Sequence, residues 1–110
     1  MNEEKSISQD DFYRGKKAVC EEWFVNEGDL QSWARLRVFQ DGTADVWDHG
    51  ELWGFVNEAS ARFMIGEGHY VDLTVLKSIG KKPKCQPPRN IADATRETFH
   101  FGGDWNTGLG

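Results

Sequence analysis

Two cysteines, three prolines and three histidines are all that 110 residues hold of the types that usually mark disulfide scaffolds, rigid linkers and metal sites. Cys20 and Cys85 stand far apart, in neither a CxxC nor a zinc-finger spacing, so the sequence predicts two free thiols in a reducing compartment. The prolines, Pro83, Pro87 and Pro88, all fall in one stretch. No apolar run approaches the roughly 18 to 20 residues that span a bilayer, and Met1-Asn2-Glu3-Glu4-Lys5 has neither the basic start nor the apolar stretch of a signal peptide. A soluble, cytoplasmic protein without a membrane partner is expected. Catalytic signatures are missing too. No GxSxG, Walker A loop, GxGxxG or HExxH occurs, and Gly66-Glu67-Gly68 lacks a third glycine and a following helix. Neither an enzyme nor a cofactor is expected.

Aliphatic side chains are scarce. Val, Ile, Leu and Phe number 24 of 110, just above the roughly 20% below which a charged chain tends to stay unfolded. Aromatics compensate: five Trp, seven Phe and two Tyr each remove about 150 to 250 Å² from water when buried. The expected core is therefore few in residues and large in side chains, and 110 residues suit a single domain.

The alternation of Ala34, Leu36 and Val38 against Trp33, Arg35, Arg37 and Phe39 is that of a half-buried antiparallel strand. Asp41-Gly42 reads as a type I′ hairpin turn into Thr43–Asp48, and His49-Gly50 as a second reversal into Glu51–Val56. The stretch Lys17–Val25 fits a strand, with a helix as its alternative. Asn57 can cap a short helix ending before Gly66. Tyr70–Leu76 alternates again, with Val71, Leu73 and Val75 on one face, and Thr98–Phe101 supplies a last short strand. The predicted fold class is α+β: a small antiparallel β-meander sheet with one short helix packed on one face. Residues 1–11 read as a disordered lead-in, 12–101 as the domain with a basic loop at 77–90, and 102–110 as a flexible glycine-rich tail. The tetrapeptide Phe-Val-Asn-Glu recurs at 24–27 and 55–58, but its flanks do not continue and it falls short of a repeat array.

Charge is uneven. Residues 1–76 hold 15 acidic and 7 basic side chains, whereas residues 77–110 hold 3 and 6. Lys77, Lys81, Lys82, Lys84 and Arg89 form a basic loop that could meet an acidic protein face or simply stay solvated. Nucleic acid is an unlikely partner, because the loop carries no aromatic side chain to stack on bases and the whole chain is acidic. Asp41, Asp45, Asp48, His49 and Glu51 crowd two turns, yet they lack the EF-hand pattern, and no metal is assigned. Cys20 with His100 would be a nucleophile pair only if folding brought them together.

Trp33, Arg35, Arg37 and Phe39 share one strand face, and Trp and Arg are types enriched at binding hot spots. That face is either covered by the rest of the chain or offered to a partner. The resulting expectation is a non-enzymatic protein-interaction module, an inhibitor, immunity-type or adaptor protein, with homo-oligomerisation open. The alternative is a small-ligand binder for carbohydrate or nucleotide, built on Trp47, Trp53 and Trp105.

Overall fold

The computed structural model describes residues 8–88 and 99–103. Expectations for residues 1–7, for Arg89 and Asn90 of the basic loop, and for the tail from residue 104, Trp105 included, lie outside those residues. In chain order the elements are α1 (Gln9–Tyr13), β1 (Ala18–Asn26), β2 (Trp33–Phe39), β3 (Ala44–Asp48), β4 (Glu51–Phe55), α2 (Glu58–Glu67), β5 (Tyr70–Asp72), α3 (Leu73–Ser78) and β6 (Phe99–Gly103). The strands form one sheet in the order β5-β1-β2-β3-β4-β6. All neighbours are antiparallel except β4 and β6, which run parallel. The fold is thus α+β, as expected, but the sheet is mixed and three helices are present among the described residues.

The predicted meander forms as β2, β3 and β4, and Lys17–Val25 resolves to the strand β1. Its turn chemistry is exchanged, however. Only Gly42 is left-handed in the first hairpin (φ 92°), and Gly42 N–H donates to Phe39 O at 2.9 Å, which is a three-residue loop rather than type I′. Asp41 braces it by accepting from Thr43 N at 3.0 Å and Thr43 Oγ1 at 2.6 Å. The second hairpin has both central residues at positive φ, His49 at 52° and Gly50 at 79°, between the paired Asp48 and Glu51. The type I′ turn is therefore at His49-Gly50.

Alternation along the strands builds two different faces. Phe24, Ala34, Leu36, Ala44, Val46 and Phe55 point to one side, where Ala61 and Ile65 of α2 close the core over them. Asn57 caps α2 as expected, accepting from Ser60 N at 2.8 Å, and the helix runs on through Gly66 to Glu67. The recurring Phe-Val-Asn-Glu does one job twice: Asn26, like Asn57, leaves a strand and ties the next turn, accepting from Gly28 N and Asp29 N at 2.8 and 3.0 Å. It is a local strand-exit device.

Two expectations fail next to the sheet. Helix α1 starts within the segment read as a lead-in, where the Ser8 hydroxyl caps it by accepting from Asp11 N at 3.2 Å. A five-residue helix is marginal alone; it is held by Phe12, which is buried. The strand expected over Tyr70–Leu76 stops after three residues. Asp72 then accepts from Val75 N at 2.8 Å and starts α3. Helical spacing replaces the expected strand faces: Leu76 is buried against Val25 and Trp33, while Leu73 and Val75 are exposed.

Candidate functional site

Register assembles the face opposite α2 into cross-strand rows. Trp23, Arg35, Trp47, Leu52 and Phe99 are successive partners across β1, β2, β3, β4 and β6, and Glu21, Arg37, Asp45, Gly54 and Phe101 form the adjoining row. The chain itself covers this face. α1 lies over one end, with Phe12 edge-on to Phe39 at 6.2 Å between ring centres and Tyr13 OH donating to Asp45 Oδ2 at 2.5 Å. Leu76 of α3 covers Trp33 at the other end. Trp33, Arg35 and Phe39 are consequently only 6, 8 and 4% exposed, and Arg37 is half-buried. Of the two readings of this face, the covered one describes the molecule; the four side chains do not form an open docking surface.

At its centre Asp45 is fully buried and receives Arg37 Nε and Nη2 at 3.2 and 2.7 Å. Arg35 is less well served: its Nη2 is 3.9 Å from Asp45, its Nε is 4.0 Å from Glu21, and Nε makes no hydrogen bond. Burial, then the neighbouring Arg37 charge, pulls the Arg35 guanidinium below its ordinary value. The same burial, reinforced by the Asp45 carboxylate, pushes the Tyr13 phenol far up. This cluster bolts α1 to the sheet.

The alternative aromatic platform is not brought together. Val46 pairs with Trp53 and points to the α2 side, so Trp47 stands on the opposite face from Trp53. Trp53 instead stacks on His100 at 4.4 Å, and His100 Nε2 lies 3.3 Å from Glu51. The acids around the two turns also disperse. Asp45 is engaged by Arg37 and Tyr13, Asp41 by Thr43, Glu51 by His100, and Asp48 accepts from Tyr70 OH at 2.5 Å with His49 Nε2 at 3.5 Å. Among the described residues no three His, Cys, Asp or Glu side chains converge as a metal site. Cys20 on β1 and His100 on β6 are four strand positions apart, roughly 19 Å at a spacing of about 4.8 Å, and make no pair.

A different surface stands open at α3. Leu73, Val75 and Ile79 are 47, 43 and 49% exposed within seven positions. A groove of about 420 Å³ is lined by Leu73, Leu76, Lys77, Gly80, Lys81 and Lys82, while Val75 borders a separate cleft with Ile65 and Tyr70. Reading Tyr70–Leu76 as a strand conceals this surface, because the period-2 pattern groups Leu73 and Val75 with Val71 on one sheet face. The Asp72 cap three residues before Val75 was the available signal for a helix. Compared with known proteins, the chain matches no family model, and neither a curated protein nor a solved structure shows significant similarity to it.

Proposed function

We propose that this chain is a non-enzymatic protein-interaction module, of inhibitor, immunity-type or adaptor kind, that docks through α3 and the basic segment following it. The observation that carries the reading is the exposure of Leu73, 47% open, on an apolar groove that it lines with Leu76. Apolar side chains clustered at a surface leave area in water that a partner can cover, and such clusters mark interaction sites. Lys77, Lys81 and Lys82 rim the groove, so the partner face is acidic with a few apolar anchors; complementary charge steers encounter and fixes register. The Trp33 face is a covered layer and takes no part.

Affinity capture from native extract tests this, comparing wild type with Leu73→Ser/Ile79→Ser and with Lys77→Glu/Lys81→Glu. One protein retained by wild type and lost from both variants, with melting unchanged, is the expected result. Equal retention by all three forms would rule out the α3 surface.

A further inference from the structure

We infer that the cleft between the β1–β2 connection and residues 84–88 binds a small uncharged polyhydroxylated ligand, a single sugar ring in size. The cleft holds about 340 Å³, within the range of small-molecule sites, and Trp33 and Trp47 form part of its wall. Gln31, Ser32, His49 and Gln86 supply its polar groups, and no Lys, Arg, Asp or Glu side chain lines it among the described residues. That chemistry disfavours an ionised ligand and favours one whose oxygens both give and accept hydrogen bonds. Trp33 and Trp47, 6 and 9% exposed, give the wall only a narrow apolar strip for the C–H edge of a sugar ring, while the amides and the Ser32 hydroxyl meet its hydroxyls.

An independent observation marks the same wall. Trp33 Nε1 and Trp47 Nε1 are both buried and neither has an acceptor. An indole nitrogen can only donate, and a buried donor without a partner costs about 1–3 kcal/mol. Two such donors in side chains that wall one cleft are capacity that ligand oxygens can satisfy. Both nitrogens are closed to bulk water, so a ligand oxygen reaches them only if the cleft wall shifts, and residues 84–88 supply one part of that wall. Two contacts hold that segment on this side: Lys84 N–H donates to Leu30 O at 2.6 Å, and Cys85 Sγ to Gln31 O at 3.4 Å. The opposite wall is rigid by contrast. Asp29 accepts from Gln31 N, Ser32 N and Ser32 Oγ at 2.9, 2.9 and 2.5 Å, which leaves the Ser32 oxygen free to accept.

The indole N–H signals of the five tryptophans, followed by ¹H–¹⁵N NMR, provide the test. Trp33→Phe and Trp47→Phe assign two of them, and the probes are glucose, galactose, mannose and N-acetylglucosamine, each also as its methyl glycoside. One sugar is expected to shift the Trp33 and Trp47 signals saturably and leave Trp53 in place. Retention of the effect by the methyl glycoside would assign the site to the end of a glycan, and its loss to a free sugar. Gln86→Ala, at an exposed position, is expected to leave melting unchanged and to weaken binding about tenfold. The inference is overturned if no probe shifts either indole saturably by about 10 mM, or if Gln86→Ala binds like wild type.

Discussion

At Asp45 a fully buried carboxylate on β3 accepts two bonds from Arg37 of β2 and one from Tyr13 of α1. Asp45→Ala would strand Arg37 without its partner; removing one member of a buried pair costs about 3–5 kcal/mol, and urea unfolding should register a loss of that order. Arg35 predicts the opposite sign. Its charge is buried but its ion pairs are stretched to 3.9 and 4.0 Å, so desolvation is poorly offset. Arg35→Met, which fills similar volume without a charge, is expected to leave stability unchanged or raise it by up to about 1–4 kcal/mol in the same assay. Gly54 is constrained by space. A Cβ there would sit 2.8 Å from Phe99 Cζ and 2.9 Å from Phe12 Cε1, both ring atoms locked in the aromatic layer. Overpacking of this kind costs about 1–3 kcal/mol.

Elements carry the pH dependence. Helix α1 is held partly by the Tyr13 hydroxyl, whose ionisation burial and Asp45 oppose. A folded value raised above the unfolded one of about 10 means that this stabilisation is complete below pH 10 and is lost as pH rises beyond it. Alkaline titration followed by circular dichroism should therefore show α1 detaching above about pH 10, and Tyr13→Phe should remove that step. The 26–32 connection responds at the other extreme. Bonds from Ser32 and Gln31 depress the Asp29 carboxyl to about 2. Its contribution is present above the unfolded value, near 3.8, and is lost as pH falls toward 2. Helix α3 depends on its cap. Asp72→Ala should cost about 1 kcal/mol and, on the proposed function, weaken partner capture through the same helix.

Across the whole molecule, strand order dictates where stability is concentrated. β2 and β3 are bonded on both sides and packed on both faces, whereas β5 is a three-residue edge and β6 the opposite edge. Hydrogen exchange should be slowest at Leu36 and Val46 and fastest along β5 and β6; similar protection at both edges and centre would contradict this ordering. Trp53→Ala, which removes the stack on His100, is expected to accelerate exchange in β6 without changing β2.

Most of the fold was legible because its signals are local. The alternation of Ala34, Leu36 and Val38, the Asn57 cap and the order of the hairpins each arise within a few residues. The Leu73–Ser78 helix was not, since Leu73, Val75 and Leu76 satisfy two periods and only contact of Leu76 with Val25 and Trp33 chooses between them. The candidate sites were less legible still. Trp33 and Trp47 were visible as aromatic side chains, but nothing local to Gln86 could place it beside them. Sequence by itself determined the strand faces, the caps and the segregation of charge, because these depend on backbone geometry and near neighbours. Tertiary structure alone decided that α1 and α3 cover the Trp33 face, that β6 joins β4 in parallel, and that Leu73, Val75 and Ile79 remain outside. Burial is a competition among segments distant in sequence for the same apolar area, and only the folded chain settles which of them wins.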